Sequence, residues 1–204
     1  MTEDDAKAWI AERHGAPAVD RLSVLVDHVV NETLRQNLIA PSTVEHIWDR
    51  HIVDSAQLLD HAPDAGHWLD VGSGAGFPGI VLAVLGPHQI SLVEPRRRRA
   101  TFLSDLVQAL DLDAARVKVH CSRVESVAVA ADVITARAVA SLDNLFEWCG
   151  PSATVNTRLI LPKGKSAMEE VASVQKAWHG VFHVEHSITD PASMIILASG
   201  VTRR

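Results

Sequence analysis

The apolar positions of the chain change their period near residue 66. Before it they recur at helical spacing: Leu22, Leu25, Val26, Val29 and either Thr33 or Leu34 share one stripe behind Pro17, which suits a first helical turn. Pro41 stops that stretch, and Ser42 followed by Glu45 has the form of a capping box opening another helix through Ile47, Trp48, Ile52 and Leu59. From His67 onward the apolar residues come in short runs, Trp68–Val71, Ile90–Val93, Val117–His120, Val133–Thr135 and Leu159–Leu161, separated by stretches of helical length. The clearest of these covers 97–110, with Leu103, Leu106, Val107 and Leu110 on one face. Such alternation predicts β-α-β units and a parallel sheet with helices on both faces. Two last runs, Val181–Ser187 and Met194–Ser199, are too close for a crossover helix and are predicted to pair antiparallel across Thr189-Asp190-Pro191. The expected fold is α/β, a mostly parallel seven-stranded sheet with an antiparallel C-terminal strand. It forms one domain over 1–204, with an N-terminal helical cap (1–62) on a core (63–204).

At 204 residues, 47% hydrophobic and 22% charged, the chain has ordinary globular composition and room for a sizeable core. Its longest apolar candidate, Ile80–Leu85, falls far short of the roughly 18–20 residues of a membrane span. The acidic start Met1-Thr2-Glu3-Asp4-Asp5 leads into no signal-like segment, so a cytoplasmic protein is expected. Cys121 and Cys149 have no CxxC spacing, which agrees with a reducing compartment, and both read as small buried residues rather than nucleophiles. The net charge of −6 argues against a polyanionic partner until it is resolved along the chain. Residues 1–93 hold 5 Lys and Arg against 13 Asp and Glu, whereas 94–165 hold 11 against 8 and 166–204 hold 3 against 4. The cations are concentrated in the middle, so RNA is not excluded as a partner, because steering fields are local.

The strongest local signal is Leu69-Asp70-Val71-Gly72-Ser73-Gly74-Ala75-Gly76-Phe77-Pro78-Gly79, where a strand should end and a helix begin. Glycines there accept positive φ and let a ligand lie against backbone N–H groups at the carboxyl edge of the sheet. Gly74, Gly76 and Gly79 match the GxGxxG of dinucleotide sites. Gly72, Gly74 and Gly76 match the GxGxG of S-adenosylmethionine enzymes, and this second reading fits better because Pro78 then lies beyond the glycines. Glu94 ends the second strand 22 residues after Gly72, where a carboxylate can accept the hydroxyls of an adenosine ribose in either case. A terminal antiparallel hairpin favours a Rossmann-like class I methyltransferase core over a simple dinucleotide domain. An NAD(P)-dependent oxidoreductase is further disfavoured by the lack of any tyrosine for a Tyr-x-x-x-Lys pair. A non-catalytic cofactor-binding or RNA-binding module stays open.

Several motifs together resemble one family, the bacterial 16S rRNA guanine-N7 methyltransferases, also called glucose-inhibited division protein B. They are Arg50-His51-Ile52-Val53-Asp54-Ser55, the Asp70–Gly79 loop, Ser122-Arg123-Val124-Glu125, Ala136-Arg137-Ala138-Val139-Ala140-Ser141-Leu142 and Leu161-Pro162-Lys163-Gly164-Lys165, in the family's order over about residues 30–200. The resemblance implies S-adenosylmethionine as cofactor, with Gly72, Gly74, Gly76 and Phe77 at its methionine part, Glu94 at the ribose and Val124-Glu125 at the adenine edge. It places Arg137 between cofactor and guanine pocket as the catalytic residue, and implies as target a guanine in the decoding-region loop of 16S rRNA, free or in the small subunit. The segment Asn31–Ala40 departs from the family, keeping only Asn37-Leu38 of its usual pattern.

The chemistry agrees with that target. The chain carries neither an Asn/Asp-Pro-Pro-aromatic clamp for an exocyclic amine nor a Pro-Cys nucleophile for a pyrimidine carbon. Guanine N7 has a free in-plane lone pair and requires no base, only positioning and desolvation. Arg137 is expected to grip O6 or a phosphate. Candidate RNA contacts are Arg97 and Arg98 from the Arg96–Arg99 run, Arg123, Lys163 and Lys165, with Arg50 and His51 on the cap. The bland readings are a solvated charge run for the first and an internal His51–Asp54 hydrogen-bonded pair for the last. No metal is expected: of the three histidines His179, His183 and His186, the last two would point to opposite faces of a strand. A monomer is expected.

Overall fold

The computed structural model describes residues 1–204 and contains one seven-stranded sheet with strand order β3-β2-β1-β4-β5-β7-β6. The strands are β1 (His67–Val71), β2 (Gln89–Val93), β3 (Val117–His120), β4 (Val133–Ala136), β5 (Arg158–Lys163), β6 (Trp178–His186) and β7 (Met194–Arg203). The first five are parallel, while β7 pairs antiparallel with both β5 and β6. All seven predicted strands are present, and the last two extend beyond the predicted runs, with a register shift between His179 and Val181. Order reverses between β1 and β4, so the loops leaving their carboxyl ends diverge and open a crevice, where open α/β sheets bind ligands.

On one face lie α1 (Glu3–His14), α2 (Ala16–Gln36), α4 (Gly79–Leu85) and α5 (Arg97–Ala109), which share the larger apolar core with Trp68, Ile90, Leu92 and Ile160 of the sheet. On the other, α6 (Leu142–Cys149) and α7 (Ala167–Val174) cover Leu69, Val71, Ile134 and Leu161. Thr33 rather than Leu34 completes the buried stripe of α2: Leu34 is 87% exposed. That helix ends at Asn37, whose left-handed φ of 49° terminates it before Pro41 is reached. No helix is long and apolar enough to cross a membrane.

The expected capping box at Ser42 is not formed. Pro41–His46 is a 3₁₀ segment with Ala40 at its cap and no side-chain capping bond; a π-helical stretch (Trp48–Val53), one α-turn, α3 (Asp54–Ala56), and a second 3₁₀ segment (Gln57–His61) follow. Competition for the backbone accounts for the departure from a regular helix. The Glu3 carboxylate accepts the N–H groups of Trp48 and Asp49 at 3.1 Å each, and Arg137 donates to the Arg50 carbonyl at 3.2 Å, while the capping box of the chain is Thr2 with Asp5. Cys149 is buried as expected, but Cys121 is exposed at the open end of β3.

The irregular cap segment is fastened to the link between β6 and β7. Asp54 Oδ1 accepts from Gln57 Nε2 at 3.0 Å and from the hydroxyls of Ser187 and Thr189 at 3.1 Å each. Ile188 N–H donates to Gln57 Oε1 at 3.0 Å, and Arg50 pairs with Asp190 at 2.7 Å. These contacts bring residues some 130 positions apart in sequence into one wall.

Gly79 opens α4 against the sheet: a Cβ there would overlap Leu92 Cδ2 and stand 2.6 Å from Asp70 Oδ2. Gly79→Ala is therefore expected to destabilise the fold by about 1–3 kcal/mol through overpacking, measured as a lower urea midpoint at unchanged m-value.

Candidate active site

The glycine loop is tied down at the crevice before any ligand is considered. Gly72 and Ser73 N–H both donate to the carbonyl of Val93, at 2.8 and 3.1 Å, and Gly74 N–H donates to Glu94 Oε2 at 3.2 Å. Glu94, 3% exposed, also accepts the Arg96 N–H at 2.8 Å, which fixes its orientation and leaves lone pairs toward the cleft. Gly72, Gly74 and Gly76 all have positive φ, at 69°, 51° and 95°. A Cβ on Gly72 would stand 2.6 Å from Val139 Cγ2, so the loop backbone and the segment after β4 press together around the opening. That opening is a cleft of about 490 Å³, lined by the loop, Phe77, Glu94, Arg96, Arg99, Arg137 and, from the cap, Leu38, Ile39 and His51. It continues past Gly72, Pro95 and Val139 into a slot of about 250 Å³ formed by Val71, Val93, Arg123, Val124, Glu125 and Trp148.

Arg137 follows β4 and divides the cleft from a third cavity. Its guanidinium, 19% exposed, donates to His51 Nδ1 at 2.8 Å and to the Arg50 carbonyl, approaches Asp54 Oδ2 at 3.5 Å and lies 5.4 Å from the centroid of the Phe77 ring. His51 stacks on Phe77, with ring centroids 5.0 Å apart and planes 11° apart, and its Nε2 bonds the Thr43 hydroxyl at 2.9 Å. Accepting from a guanidinium at Nδ1 assigns the proton to Nε2, so this imidazole is neutral. Burial, with Arg137 and Arg50 beside it, pushes its pKa down to about 3. Burial also lowers the pKa of Arg137 from its ordinary value, against the pull of Asp54 and Asp70. Ala138, next in the chain, has φ of 55°, a strained conformation for a residue with a Cβ, and around it Arg137 and Val139, both on the cleft, border the third cavity and the slot respectively.

The third cavity, about 250 Å³, lies beyond Arg137 and is lined by Thr43, Arg50, His51, Asp54, Pro162, Lys163, Gly164, Ser193 and Met194. His51, Arg137 and Ala138 belong to both its wall and that of the cleft. The sequence is thus folded into an apolar slot, a glycine-lined cleft and a polar pocket in one series. No group of three or more His, Cys, Asp or Glu side chains is placed to hold a metal.

The family model for rRNA small subunit methyltransferase G (GidB) matches residues 19–191. The chain belongs to this family. Among relatives bearing the name ribosomal RNA small subunit methyltransferase G, it is 43% identical to that of Erythrobacter litoralis, over 98% of this chain and 97% of the relative. It is 45% identical to that of Rhizorhabdus wittichii, over 100% and 95%. Solved structures at low identity share the fold. A mutant of MtNAS in complex with S-adenosylmethionine has a TM-score of 0.59 at 14% identity, over 96% of this chain and 82% of that one. A putative S-adenosyl-L-methionine-dependent methyltransferase from Methanococcus maripaludis has 0.59 at 13%, over 85% and 91%.

In this member of the family, the predicted cofactor residues Gly72, Gly74, Gly76, Phe77, Glu94, Val124, Glu125 and Arg137 line the cleft, its slot or the core just beneath them. A floor of three positive-φ glycines, crowded at Gly72 and Gly76, a buried carboxylate and an apolar slot suit the methionine, ribose and adenine of S-adenosylmethionine in turn. The predicted RNA cations separate. Lys163 is held in place, its ammonium donating to Glu170 at 2.8 Å and to the Ala140 carbonyl at 2.7 Å, whereas Lys165 is exposed. Arg50 is held by Asp190. His51 and Asp54 do not pair with each other but meet through Arg137. Arg97 and Arg98 face a groove against α2, and it is Arg96, at the extended N-cap of α5, and Arg99, in its first turn, that reach the cleft. Nothing local separated Arg96 and Arg99 from the rest of the basic run; Leu38 and Val139 stood in the family's motifs without a role, and nothing marked Ile39 or Trp148.

Asp70 lies beneath the loop, 1% exposed, with Oδ2 accepting the Gly79 N–H at 3.1 Å and Oδ1 without a partner. Burial pushes its carboxyl up from 3.8 to about 6, against the Ser73 hydroxyl, the Gly79 N–H and Arg137. The folded state therefore binds the proton more tightly than the unfolded chain between those values, and ionisation removes stability as pH rises through about 6. Relative to Asp70→Asn, wild-type stability is expected to fall by about 2 kcal/mol from pH 4 to pH 7. Urea unfolding across that range checks it; a pH-independent difference would contradict it. For the loop itself, Gly72→Ala is expected to weaken S-adenosylhomocysteine binding at least about tenfold, and Val139→Ala added to it to recover part of the loss, by calorimetric titration.

Proposed function

We propose that the protein methylates N7 of a single guanine in the decoding-region loop of 16S rRNA, using S-adenosylmethionine. The observation that supports this most is the series of cavities with Arg137 at the junction, which provides adjoining places for a nucleoside cofactor and a planar base. When bound, S-adenosylmethionine supplies a methyl group on a positively charged sulfur. Gly72, Gly74, Gly76 and Phe77 would hold its methionine part and Glu94 the ribose hydroxyls. Val124 and Trp148 would flank the adenine, with Glu125 at its edge.

The acceptor loses no proton, so the site needs no base. His51, the imidazole at the junction, is unsuited to be one, since its lone pair already accepts from Arg137. A cation aimed at N7 would oppose the positive charge that the purine gains, so Arg137 is assigned to O6 or a phosphate. Arg97, Arg98, Arg123 and Lys165 are exposed and suited to phosphates, while Arg50 and Lys163, with His51, shape the acceptor wall. One chain supplies the whole series of cavities, which suits a monomer; in this reading it acts in the cytoplasm.

The test is transfer of labelled methyl to 16S rRNA, offered deproteinised and as small subunits from cells lacking the enzyme, with mass mapping of the product. One 7-methylguanine in the decoding-region loop is expected, and no transfer to either form with S-adenosylhomocysteine binding intact would refute the reading. Arg137→Ala is expected to lower kcat/KM at least about tenfold while cofactor affinity stays within a few-fold. Loss of affinity with unchanged turnover at saturating cofactor would remove the base-gripping role. Lys165→Glu is expected to weaken RNA binding and reduce its salt slope by about one.

A further inference from the structure

We propose that Asp54 is the residue that selects guanine, accepting the N1–H and 2-amino hydrogens of the base while Arg137 donates to O6; this rests on the proposed function. Asp54 lines the acceptor pocket with 13% of its side chain exposed. Its two oxygens differ. Oδ1 takes three donors, from Gln57, Ser187 and Thr189, so the carboxylate is held in one orientation by both the cap and the β6–β7 link. Oδ2 has one long contact, 3.5 Å to Arg137 Nη1, and is the side with acceptor capacity to spare. Arg137 in turn has two of its donor atoms engaged, Nη1 with Arg50 and Asp54 and Nη2 with His51, and keeps further N–H groups uncommitted.

The pocket wall therefore carries both the uncommitted donors of Arg137 and the acceptor Oδ2 of Asp54, which lies 3.5 Å from Arg137 Nη1. Guanine matches that polarity, with acceptor O6 next to donor N1–H and the 2-amino group beyond. Adenine reverses it, placing an amino donor against the guanidinium and a bare N1 against the carboxylate. A buried site that leaves a donor facing a donor rejects the wrong base more strongly than one that merely lacks a contact. O6 also neighbours N7 on the ring, so holding it beside Arg137, in the wall shared with the cofactor cleft, turns N7 toward that cleft.

The test compares small subunits reconstituted with 16S rRNA carrying guanine or inosine, which lacks the 2-amino group, at the target position, for the wild type and Asp54→Asn. For the wild type, kcat/KM is expected to fall at least about tenfold from guanine to inosine. Asp54→Asn is expected to lose activity on guanine and to treat the two bases within about threefold of each other. Wild-type methylation of inosine within threefold of guanine, or unchanged discrimination by Asp54→Asn, would overturn the assignment while leaving N7 methylation intact. No transfer to the guanine particle would instead overturn the function it rests on. Because Asp54 also joins cap to hairpin, the variant is checked by its S-adenosylhomocysteine affinity; if that is lost, the wild-type comparison of the two bases decides alone.

Discussion

A guanidinium withdrawn from water needs partners, and the arrangement of this molecule around Arg137 follows from that need. The charge sits at the end of a central strand, 19% exposed, and its neighbours in the sheet offer it little. Its partners come instead from the cap: a carbonyl at residue 50, an imidazole lone pair at 51 and a carboxylate at 54. Each has a cost elsewhere. The carbonyl and the N–H groups taken by Glu3 are withdrawn from regular helical pairing, and His51 is held neutral far below its usual titration range. The cap is thus part of the active site, and its irregular winding is the form that its bonds to the core impose.

The sheet determines where that charge can stand. Strand order reverses between β1 and β4, and the two loops that diverge there are the glycine loop and the Arg137–Val139 segment. Their closeness is visible in Gly72, where the methyl of an alanine would collide with Val139. The strained φ at Ala138 serves the same geometry, letting the residues on either side of it border the third cavity and the slot.

The sheet was legible because parallel strands buried on both faces read as apolar runs, and the hairpin because its link is too short for anything else. The glycine loop and Glu94 were legible as parts of one cleft because a turn of positive φ after β1 demands glycines and the end of β2 lies beside it in the sheet. The cap was legible as helical and wrong in detail: a Ser42-x-x-Glu45 pattern describes a local preference, while the winding there answers to Glu3 and Arg137, which are distant in sequence. The partners of Lys163 were hidden for the same reason, since nothing adjacent to it reveals that Glu170 and the Ala140 carbonyl accept from its ammonium. Leu38, Ile39 and Trp148 look like any core residue until the fold brings them to the cleft.

The fastening of Asp54 and Gln57 to Ser187–Thr189 has a consequence for the chain as it leaves the ribosome. Every wall of the cleft and its slot has been synthesised by Trp148, but the polar pocket beyond also needs Pro162–Gly164 and Ser193–Met194. The nascent protein thus acquires the makings of the cleft and slot first and those of the polar pocket last. The bonds that orient Asp54 cannot form until Ser187 and Thr189 have emerged, so the wall that Asp54 gives the polar pocket takes shape only after the chain leading into β7 is made.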